Sequence, residues 1–424
     1  MKDARAFYAR TATAIADYLA QELSIRPGAH YFLRNAVNGP RVITLYLTVN
    51  PRFASKITSL AEPLSMAAGL DRDAHIRVSR ASGGALALEI PKPRALWYDI
   101  PAAALPMRRG LRATVGLDTE HRPTLLDYTD PLTPHTLIAG ATGCGKTNAE
   151  RLIVYNLALA NAPEEVGFLL IDTRKRGAGW RPFKALPHLL YPIITDDRMA
   201  LRALAWAVTE VGRRAEGGSS TKPQIFVGLD EAQTLLEREE FVRLIGNLAA
   251  TGREFGIHLI VATQNPTARQ LGSADIKRNF SARLVGRVDS PDASRVAAGV
   301  GGAGAERLAG PGDFLLVRPG GILRLAVALL TEKDLGRLPS TNTKVEPKLN
   351  LEAYRDVDRV LDAVAGVRRQ ADPAPDPAPL AYALAYPKAS QRQMYERFRI
   401  GFPRIRQIQD SALRRPRRRP HCVV

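Results

Sequence analysis

Hydrophobic and polar positions in the first hundred residues recur with two different periods, which predict a small α/β domain over residues 1–103. Apolar side chains stand three and four positions apart from Ala4 to Leu23, the spacing of one face of an amphipathic helix. A second pattern of this kind runs from Ile57 to Met66. The strand-like runs are Val42–Val49, His75–Ser79 and Ala85–Ile90, and the turn Ser82-Gly83-Gly84 joins the last two into a predicted hairpin.

Residues 104–340 alternate buried-strand runs with helical patterns, the arrangement typical of a mostly parallel sheet. One predicted helix follows the first strand, and another covers Met199–Arg214 ahead of a linker at Ala215–Lys222. The strand-like runs are Leu137–Ala139, Val166–Asp172, Gln224–Leu229, Ile257–Thr263, Ala282–Val288, Asp313–Val317 and Leu323–Leu330. We therefore predict an α/β domain whose sheet begins with the strand at 137–139.

A glycine-rich loop separates that first strand from the helix after it. Its residues are Gly140, Ala141, Thr142, Gly143, Cys144, Gly145, Lys146 and Thr147, with Asn148 following in the helix. Glycines let backbone N–H groups turn toward phosphate oxygens, and the start of a helix adds partial positive charge there. We predict a P-loop that binds ATP, in which Lys146 reaches the β- and γ-phosphates and Thr147 ligates Mg²⁺.

Polar side chains follow two of the later strands. Asp230 and Glu231 end one apolar strand, and Gln264 follows another. Carboxyl ends of parallel strands meet in one crevice, so these residues are expected near the P-loop. We assign Asp230 to Mg²⁺, Glu231 to the attacking water and Gln264 to sensing the γ-phosphate, a strand-end turn residue being the alternative for Gln264.

The last part of the chain has a different composition. Residues 341–379 hold a helical pattern over 351–367 and then a proline-rich, extended linker. Residues 380–424 show a helix, a glycine turn and a second helix, followed by a basic tail, the outline of a helix-turn-helix module. The predicted DNA contacts are Arg404, Arg406 and Gln407 in the second helix and Arg414 and Arg415 in the tail. An unrelated helical hairpin with a solvated basic end is the alternative.

A net charge of +18 indicates an anionic partner, most often nucleic acid, with a membrane surface as the alternative. The two cysteines, Cys144 and Cys422, offer neither a disulfide framework nor zinc spacing, which favours a cytoplasmic protein. Cys144 fits a small residue at a variable P-loop position, oxidation sensitivity being the alternative. We find no apolar run of about 18 residues and no signal peptide, so no membrane span is predicted.

These motifs resemble the cytoplasmic motor of FtsK/SpoIIIE-type DNA translocases. The P-loop with its lead-in from Leu137 is close to the family's form, and so is the stretch Leu170-Ile-Asp-Thr-Arg-Lys. Gly256-Ile-His-Leu-Ile-Val-Ala-Thr-Gln-Asn-Pro-Thr is the most specific match. The chain departs from the family where Ala232-Gln233 replaces Phe-Ala after Asp-Glu, and neither a membrane-anchoring N-terminal region nor the wing of the DNA-reading module is recognised.

The resemblance implies a homohexameric ring that threads double-stranded DNA and is driven by ATP. Residues 1–103 would be the family's α subdomain, 104–340 its RecA-like β subdomain and 380–424 a γ-like DNA-reading module. Lys146, Thr147, Asp230, Glu231 and Gln264 take the Walker A, Walker B, catalytic and sensor roles. Arg283 and Arg253 are the candidates for a trans-acting arginine finger, and for each a DNA contact or a surface position is an equal alternative.

The expected function is an ATP-driven translocase of double-stranded DNA, as in chromosome segregation. A plasmid or phage DNA-transfer ATPase with the same motor is the alternative. So is a DNA-binding regulator in which the helix-turn-helix acts and the ATPase is a switch. A protein-secretion ATPase agrees less well with the terminal module and the net charge of +18.

Overall fold

The computed structural model describes residues 2–72, 74–217, 221–264, 278–341 and 345–365. The predicted proline-rich linker and helix-turn-helix module lie outside the described residues, and with them Arg404, Arg406, Gln407, Arg414 and Arg415. No helix in the described ranges is both long enough and apolar enough to span a bilayer.

The amino-terminal domain is a four-stranded antiparallel sheet with helices packed on it, which confirms the predicted α/β character. Its elements are α1 (Lys2–Leu23), β1 (Tyr31–Asn38), β2 (Val42–Val49), α2 (Pro51–Thr58), α3 (Ala61–Ala67), β3 (Arg77–Arg80) and β4 (Leu86–Pro91), and the strand order is β1-β2-β4-β3. The predicted hairpin forms, since β3 pairs antiparallel with β4. Strand β1 was missed because Arg34 and Asn35 divide its apolar positions into two short pieces.

The helix predicted from Ile57 to Met66 is wrong as a single element. It is divided between α2 and α3, which end and begin on either side of Ser59 and Leu60. Pro63 has no N–H to donate to the carbonyl of Ser59, so a continuous helix would lose that bond. In the first turn of a new helix the same proline costs nothing, because that N–H has no partner there anyway.

The second domain is built on a nine-stranded sheet in the order β6-β5-β13-β12-β11-β7-β10-β9-β8. The strands are β5 (Arg112–Asp118), β6 (Pro123–Asp127), β7 (Thr136–Ala139), β8 (Val166–Ile171), β9 (Gln224–Leu229), β10 (Ile257–Thr263), β11 (Ala282–Val285), β12 (Asp313–Arg318) and β13 (Gly321–Val327). Strands β8, β9, β10, β7 and β11 are parallel to one another, as predicted, whereas the other four are antiparallel. The P-loop strand β7 lies between β10 and β11, and the prediction that it opens the sheet is wrong, because the hairpin β5–β6 precedes it.

Six helices belong to the part of the chain that forms or follows this sheet in the described ranges. They are α4 (Lys146–Ala160), α5 (Asp197–Gly217), α6 (Glu239–Thr251), α7 (Pro291–Ala298), α8 (Glu332–Leu335) and α9 (Val357–Val364). Helix α5 continues three residues beyond the predicted end, into the stretch assigned to a linker. The helix predicted over 351–367 is shorter in the described part of the chain, where α9 begins only at Val357.

Two histidines are buried where the parallel strands begin. His135 lies just before β7, accepts a hydrogen bond from the backbone N–H of Leu259 at 3.0 Å, and contacts the carbonyl oxygen of Ala249 through Nε2 at 3.1 Å. His258 in β10 stacks on Phe226 with ring centroids 4.8 Å apart. Burial lowers the pKa of His135 to about 3 and that of His258 to about 4, so both rings are neutral at pH 7.

Acidification is expected to destabilise the protein through these histidines. Their folded-state pKa values lie below the unfolded value of about 6.5, so their stabilising contribution is complete above pH 6.5 and is lost as the pH falls below it. At pH 5.0 each costs about 2 kcal/mol of unfolding free energy. Urea unfolding measures this effect. Between pH 7.5 and 5.0 the unfolding free energy of His258→Gln should fall by about 2 kcal/mol less than that of the wild type. Exposed His121→Asn is the control, and equal pH dependence of His258→Gln and wild type would refute the assignment.

Candidate active site

The P-loop forms a tight turn between β7 and α4. Gly140, Gly143 and Gly145 have φ angles of 152°, 81° and 107°, which side chains disfavour, and Gly145 is the residue before the helix. Lys146 is 5% exposed, and its ammonium donates to the carbonyl oxygens of Gly140 at 2.9 Å and Ala141 at 3.1 Å. The loop therefore encloses the ammonium of Lys146, the group that we predict to bind phosphate.

Cys144 has a packing role in this loop. Its side chain is 4% exposed, and a Cβ atom added at Gly140 or Gly286 would lie only 2.7 or 2.6 Å from its sulfur. Burial raises the pKa of the Cys144 thiol, which disfavours the reactive thiolate. Both observations support the interpretation of Cys144 as a small residue that fills the space between two glycines.

The two carboxylates predicted at the end of β9 have different surroundings. Asp230 is 2% exposed, and its oxygens accept no hydrogen bond within the described ranges. Burial raises its pKa. Gly179 makes this position possible, because a Cβ there would lie 2.0 Å from Asp230 Oδ2.

Glu231 has a left-handed backbone, with φ of 52°, a strained conformation for a side chain of this size. Gln233 Nε2 donates to its carboxylate at 2.6 Å, Gln264 Nε2 donates at 2.6 Å, and Lys175 Nζ lies 2.7 Å away. Burial by itself would raise the pKa of Glu231, but these three donors outweigh it and hold the pKa at about 2.

A chain of hydrogen bonds connects the P-loop to Glu231. Thr142 Oγ1 donates to Gln264 Oε1 at 3.0 Å, and Gln264 Nε2 donates to both oxygens of Glu231 at 2.6 Å. A phosphate group that binds at Thr142 would therefore alter the hydrogen bonds of Gln264, and through its amide those of the Glu231 carboxylate. This arrangement is what a γ-phosphate sensor requires, and it gives the predicted role of Gln264 a physical route.

Three residues of the site were missed by sequence reasoning. Gln233 had a signal, because it is where the chain departs from the family pattern after Asp-Glu. Lys175 had a weaker one, since it follows the end of β8 by a few residues. No sequence signal marked Glu150, which lies one helical turn after Lys146 on a face of α4 that is otherwise apolar.

Glu150 is fully buried, and neither of its carboxylate oxygens has a hydrogen-bond partner among the described residues. Burial raises its pKa well above the usual range, and the nearby carboxylate of Asp230 raises it further. Two buried carboxylates close to each other repel when both are ionised, which favours the protonated form of Glu150.

Replacing Glu150 with glutamine is expected to stabilise the protein at alkaline pH. A raised folded-state pKa means that this group's contribution is complete below about pH 4.5 and is lost as the pH rises toward the folded-state value. Between pH 4.5 and the folded-state pKa, the unfolding free energy of Glu150→Gln should rise relative to wild type by about 1.4 kcal/mol per pH unit, because glutamine does not ionise. Thermal melts at pH 5.5 and 8.0 measure it, with exposed Glu216→Gln as control. A difference that does not change with pH would contradict this account.

Thr147 and Asp230 fit the predicted Mg²⁺. A hydroxyl, a carboxylate and nucleotide phosphates form the oxygen donor set that Mg²⁺ takes at such sites. The buried oxygens of Asp230 accept no hydrogen bond among the described residues, although Lys175 Nζ lies 3.6 Å from Oδ2, so they still have lone pairs for a ligand. No cluster of three or more acidic, histidine or cysteine side chains suited to a metal occurs within the described residues, so an ion here would depend on the nucleotide for its remaining ligands.

The other predicted site residues are dispersed. Asn148 donates to the carbonyl oxygen of Ala328 at 2.8 Å and accepts from the N–H of Leu330 at 3.0 Å, so its side chain joins α4 to the end of β13. Arg283 is 5% exposed and donates to the carbonyl oxygens of Phe280 at 2.9 Å and Ala297 at 3.2 Å.

Those contacts bear on the choice between the two arginine-finger candidates. Burial lowers the pKa of Arg283, and its guanidinium bridges β11 and α7, which argues against a role in a neighbouring subunit. Arg253 is exposed in the turn before β10. Of the two, Arg253 has the side chain that can reach another subunit or DNA.

Comparison with known proteins shows which proteins this chain is similar to. A model of the FtsK/SpoIIIE family matches residues 107–219. The chain is 28% identical to DNA translocase SftA of Bacillus subtilis over 406 residues, which cover 89% of this chain and 41% of SftA. It is also 28% identical to DNA translocase FtsK of Borreliella burgdorferi, over 89% of this chain and 51% of that protein.

The chain therefore spans about half the length of the curated relatives it matches. Among solved structures, the cytoplasmic domain of the type VII secretion ATPase EccC of Thermomonospora curvata aligns with a TM-score of 0.49 and 27% identity, covering 59% of this chain and 34% of that one. The match over 107–219 includes the P-loop and β8, and the longer alignments cover most of the chain. The resemblance drawn from the motifs is confirmed: this chain is similar to DNA translocases of the FtsK/SpoIIIE family.

Proposed function

We propose that the chain is an ATP-driven motor that moves along double-stranded DNA. The observation that carries the proposal is the hydrogen-bonded chain from Thr142 through Gln264 to Glu231, because it couples occupancy of the phosphate site to the residue that acts on water. The names of the curated relatives, DNA translocases SftA and FtsK, support DNA as the substrate.

The residues of the P-loop and of the strand ends have separate tasks in hydrolysis. The P-loop N–H groups and Lys146 bind the phosphates of ATP, and Thr147 and Asp230 hold Mg²⁺. When bound, the ion neutralises charge on the β- and γ-phosphates. Glu231 orients and polarises the attacking water, and its low pKa keeps it ionised for that role. Gln264 reports the γ-phosphate to Glu231.

The wider assembly is part of the proposal. A RecA-like domain that acts as a homohexameric ring would place Arg253 of one subunit near the nucleotide of the next, where a guanidinium stabilises charge on the γ-phosphate. A net charge of +18 favours contact with DNA phosphates. The γ-like module at 380–424 and its basic tail would read or grip DNA.

DNA-stimulated ATP hydrolysis tests the motor. The wild-type chain should hydrolyse ATP faster with long duplex DNA than with short duplexes, and it should displace a triplex-forming strand. Lys146→Ala should abolish turnover, whereas exposed Lys184→Ala should not. Hydrolysis that duplex DNA leaves unchanged would contradict the motor.

Removal of residues 371–424 separates the alternatives. A translocase should keep DNA-stimulated hydrolysis without them, because the motor lies in residues 104–340. A DNA-binding regulator with an ATP switch would lose its DNA response. A plasmid or phage DNA-transfer ATPase would retain the motor, so genetic context rather than enzymology distinguishes it from a chromosome-segregating translocase.

A further inference from the structure

Lys175 lies between the two carboxylates that end β9. Its ammonium is 2.7 Å from Glu231 Oε1 and 3.6 Å from Asp230 Oδ2, and its side chain is 39% exposed. None of the tasks assigned above uses this lysine. It faces the catalytic carboxylate from one side while solvent reaches it from the other.

In this state Glu231 is poorly placed to act on water. Gln233, Gln264 and Lys175 all donate to its two oxygens, so the lone pairs that would accept a proton from water are engaged. Gln264 has a reason to leave, because the γ-phosphate competes for it. Of the three donors, Lys175 is the one that carries a charge of its own, so its contact with the carboxylate is the strongest of them.

The backbone around Lys175 is fixed while its side chain is not. The carboxylate of Asp172 accepts the N–H groups of Lys175 at 2.8 Å and Gly179 at 2.9 Å, which holds the segment 173–179 as a turn after β8. Lysine carries its ammonium on a flexible four-carbon stem. The ammonium can therefore leave Glu231 without any movement of the main chain.

The neighbours of Lys175 in sequence indicate what attracts it. Arg174 and Arg176 flank it, both are exposed, and neither is paired with a carboxylate in the described part of the chain. Of these three consecutive cations, only Lys175 contacts carboxylates, those of Glu231 and Asp230. Such a run of positive charge attracts a polyanion. Phosphate groups spaced along a nucleic-acid strand suit such a run, since each can accept from one cation.

We propose that Lys175 is a positioning residue that restrains Glu231 until DNA phosphates bind the basic segment 174–176 and draw its ammonium away. This inference rests on the proposed function and deepens it, because it names how DNA contact stimulates hydrolysis. DNA bound at Arg174 and Arg176 exchanges the carboxylate partner of Lys175 for a phosphate, and Glu231 regains the lone pairs with which it polarises water.

Basal ATP hydrolysis of Lys175→Met tests the restraint. Without DNA this variant should hydrolyse ATP about 10-fold faster than wild type, the change expected when one charge-assisted hydrogen bond to the base is lost. Lys175→Arg keeps the charge and should keep the basal rate low. Structural damage would lower the rate, so a rise cannot come from misfolding, and thermal melts confirm that the variants are folded. A basal rate in Lys175→Met that equals or falls below that of wild type overturns the restraint.

The second arm tests DNA as the releasing agent. Arg174→Ala combined with Arg176→Ala should raise the DNA concentration for half-maximal stimulation at least ~5-fold, because two phosphate contacts are lost. Arg108→Ala with Arg109→Ala is the matched control, an exposed consecutive pair elsewhere. An unchanged DNA response of the 174/176 double variant, with a raised basal rate in Lys175→Met, would assign the release to ATP itself and overturn the DNA part.

Failure of the proposed function looks different. If wild type hydrolyses no more ATP than Lys146→Ala with or without DNA, both the motor and the restraint are refuted. If wild type is stimulated by DNA and Lys175→Met is not activated, the motor stands and only the restraint is refuted.

Discussion

Replacing Glu231 with glutamine is expected to lower ATP turnover by at least ~100-fold while ATP binding changes by less than about 3-fold. Glutamine keeps the size of the side chain and can still contact Gln264, but it cannot polarise water as a carboxylate does. The phosphates are bound by the P-loop and Lys146, which the change leaves in place. Steady-state hydrolysis and the binding of a fluorescent ATP analogue measure the two quantities.

The control for this change is exposed Glu216→Gln in α5, which should alter neither quantity. Equal losses of turnover and binding in Glu231→Gln would show that the residue holds the nucleotide rather than acting on water. Turnover within a few fold of wild type would assign the base to another residue, and Asp230 would then be the next candidate.

Replacing Arg324 with methionine is expected to destabilise the protein by about 3–5 kcal/mol. Arg324 in β13 is 1% exposed on its side chain and pairs with Asp313 of β12 at 2.6 Å and Glu89 of β4 at 2.8 Å. Burial by itself would lower its pKa, but the two carboxylates raise it above the usual value. Methionine fills a similar volume but leaves buried Asp313 without its cation and Glu89 with Arg77 alone, at 3.2 Å, which costs more than the pair contributed.

Urea unfolding measures this loss, and Arg318→Met on the exposed end of β12 is the matched control. Adding Glu89→Gln and Asp313→Asn to Arg324→Met should restore part of the stability, because the unpaired charges are then gone. Glu89 belongs to the amino-terminal sheet and Arg324 to the large sheet, so the loss should also weaken the packing between the two sheets. A change below about 1 kcal/mol would mean that water enters and solvates the carboxylates.

Sequence reasoning was most successful where chemistry lies at the ends of strongly apolar strands. Asp230, Glu231 and Gln264 follow β9 and β10, whose residues are almost entirely buried and therefore give a clear pattern. It failed for β1, whose apolar positions Arg34 and Asn35 interrupt, and for β5 and β6, whose apolar stretches are short and end at Asp118 and Asp127. Those strands are determined by pairing with neighbours, which a local pattern does not reveal.

By itself the sequence determined the P-loop, the order of the parallel strands along the chain and the side chains delivered to their carboxyl ends. The physical reason is that each of these depends on local spacing: glycines for the loop, apolar runs for the strands, and the parallel direction that gathers their ends at one edge. The same local information revealed the resemblance to FtsK/SpoIIIE-type translocases.

Only the tertiary structure decided which distant side chains meet. It placed Lys175 against Glu231, Glu150 against Asp230 and Arg324 between two domains, and it buried Arg283 among backbone carbonyls. These contacts depend on how helices and turns are set against the sheet, to within about an ångström, and no spacing along the chain encodes that. A charged residue has the same sequence signal whether it is solvated or buried against a partner, because the partner is supplied by the fold.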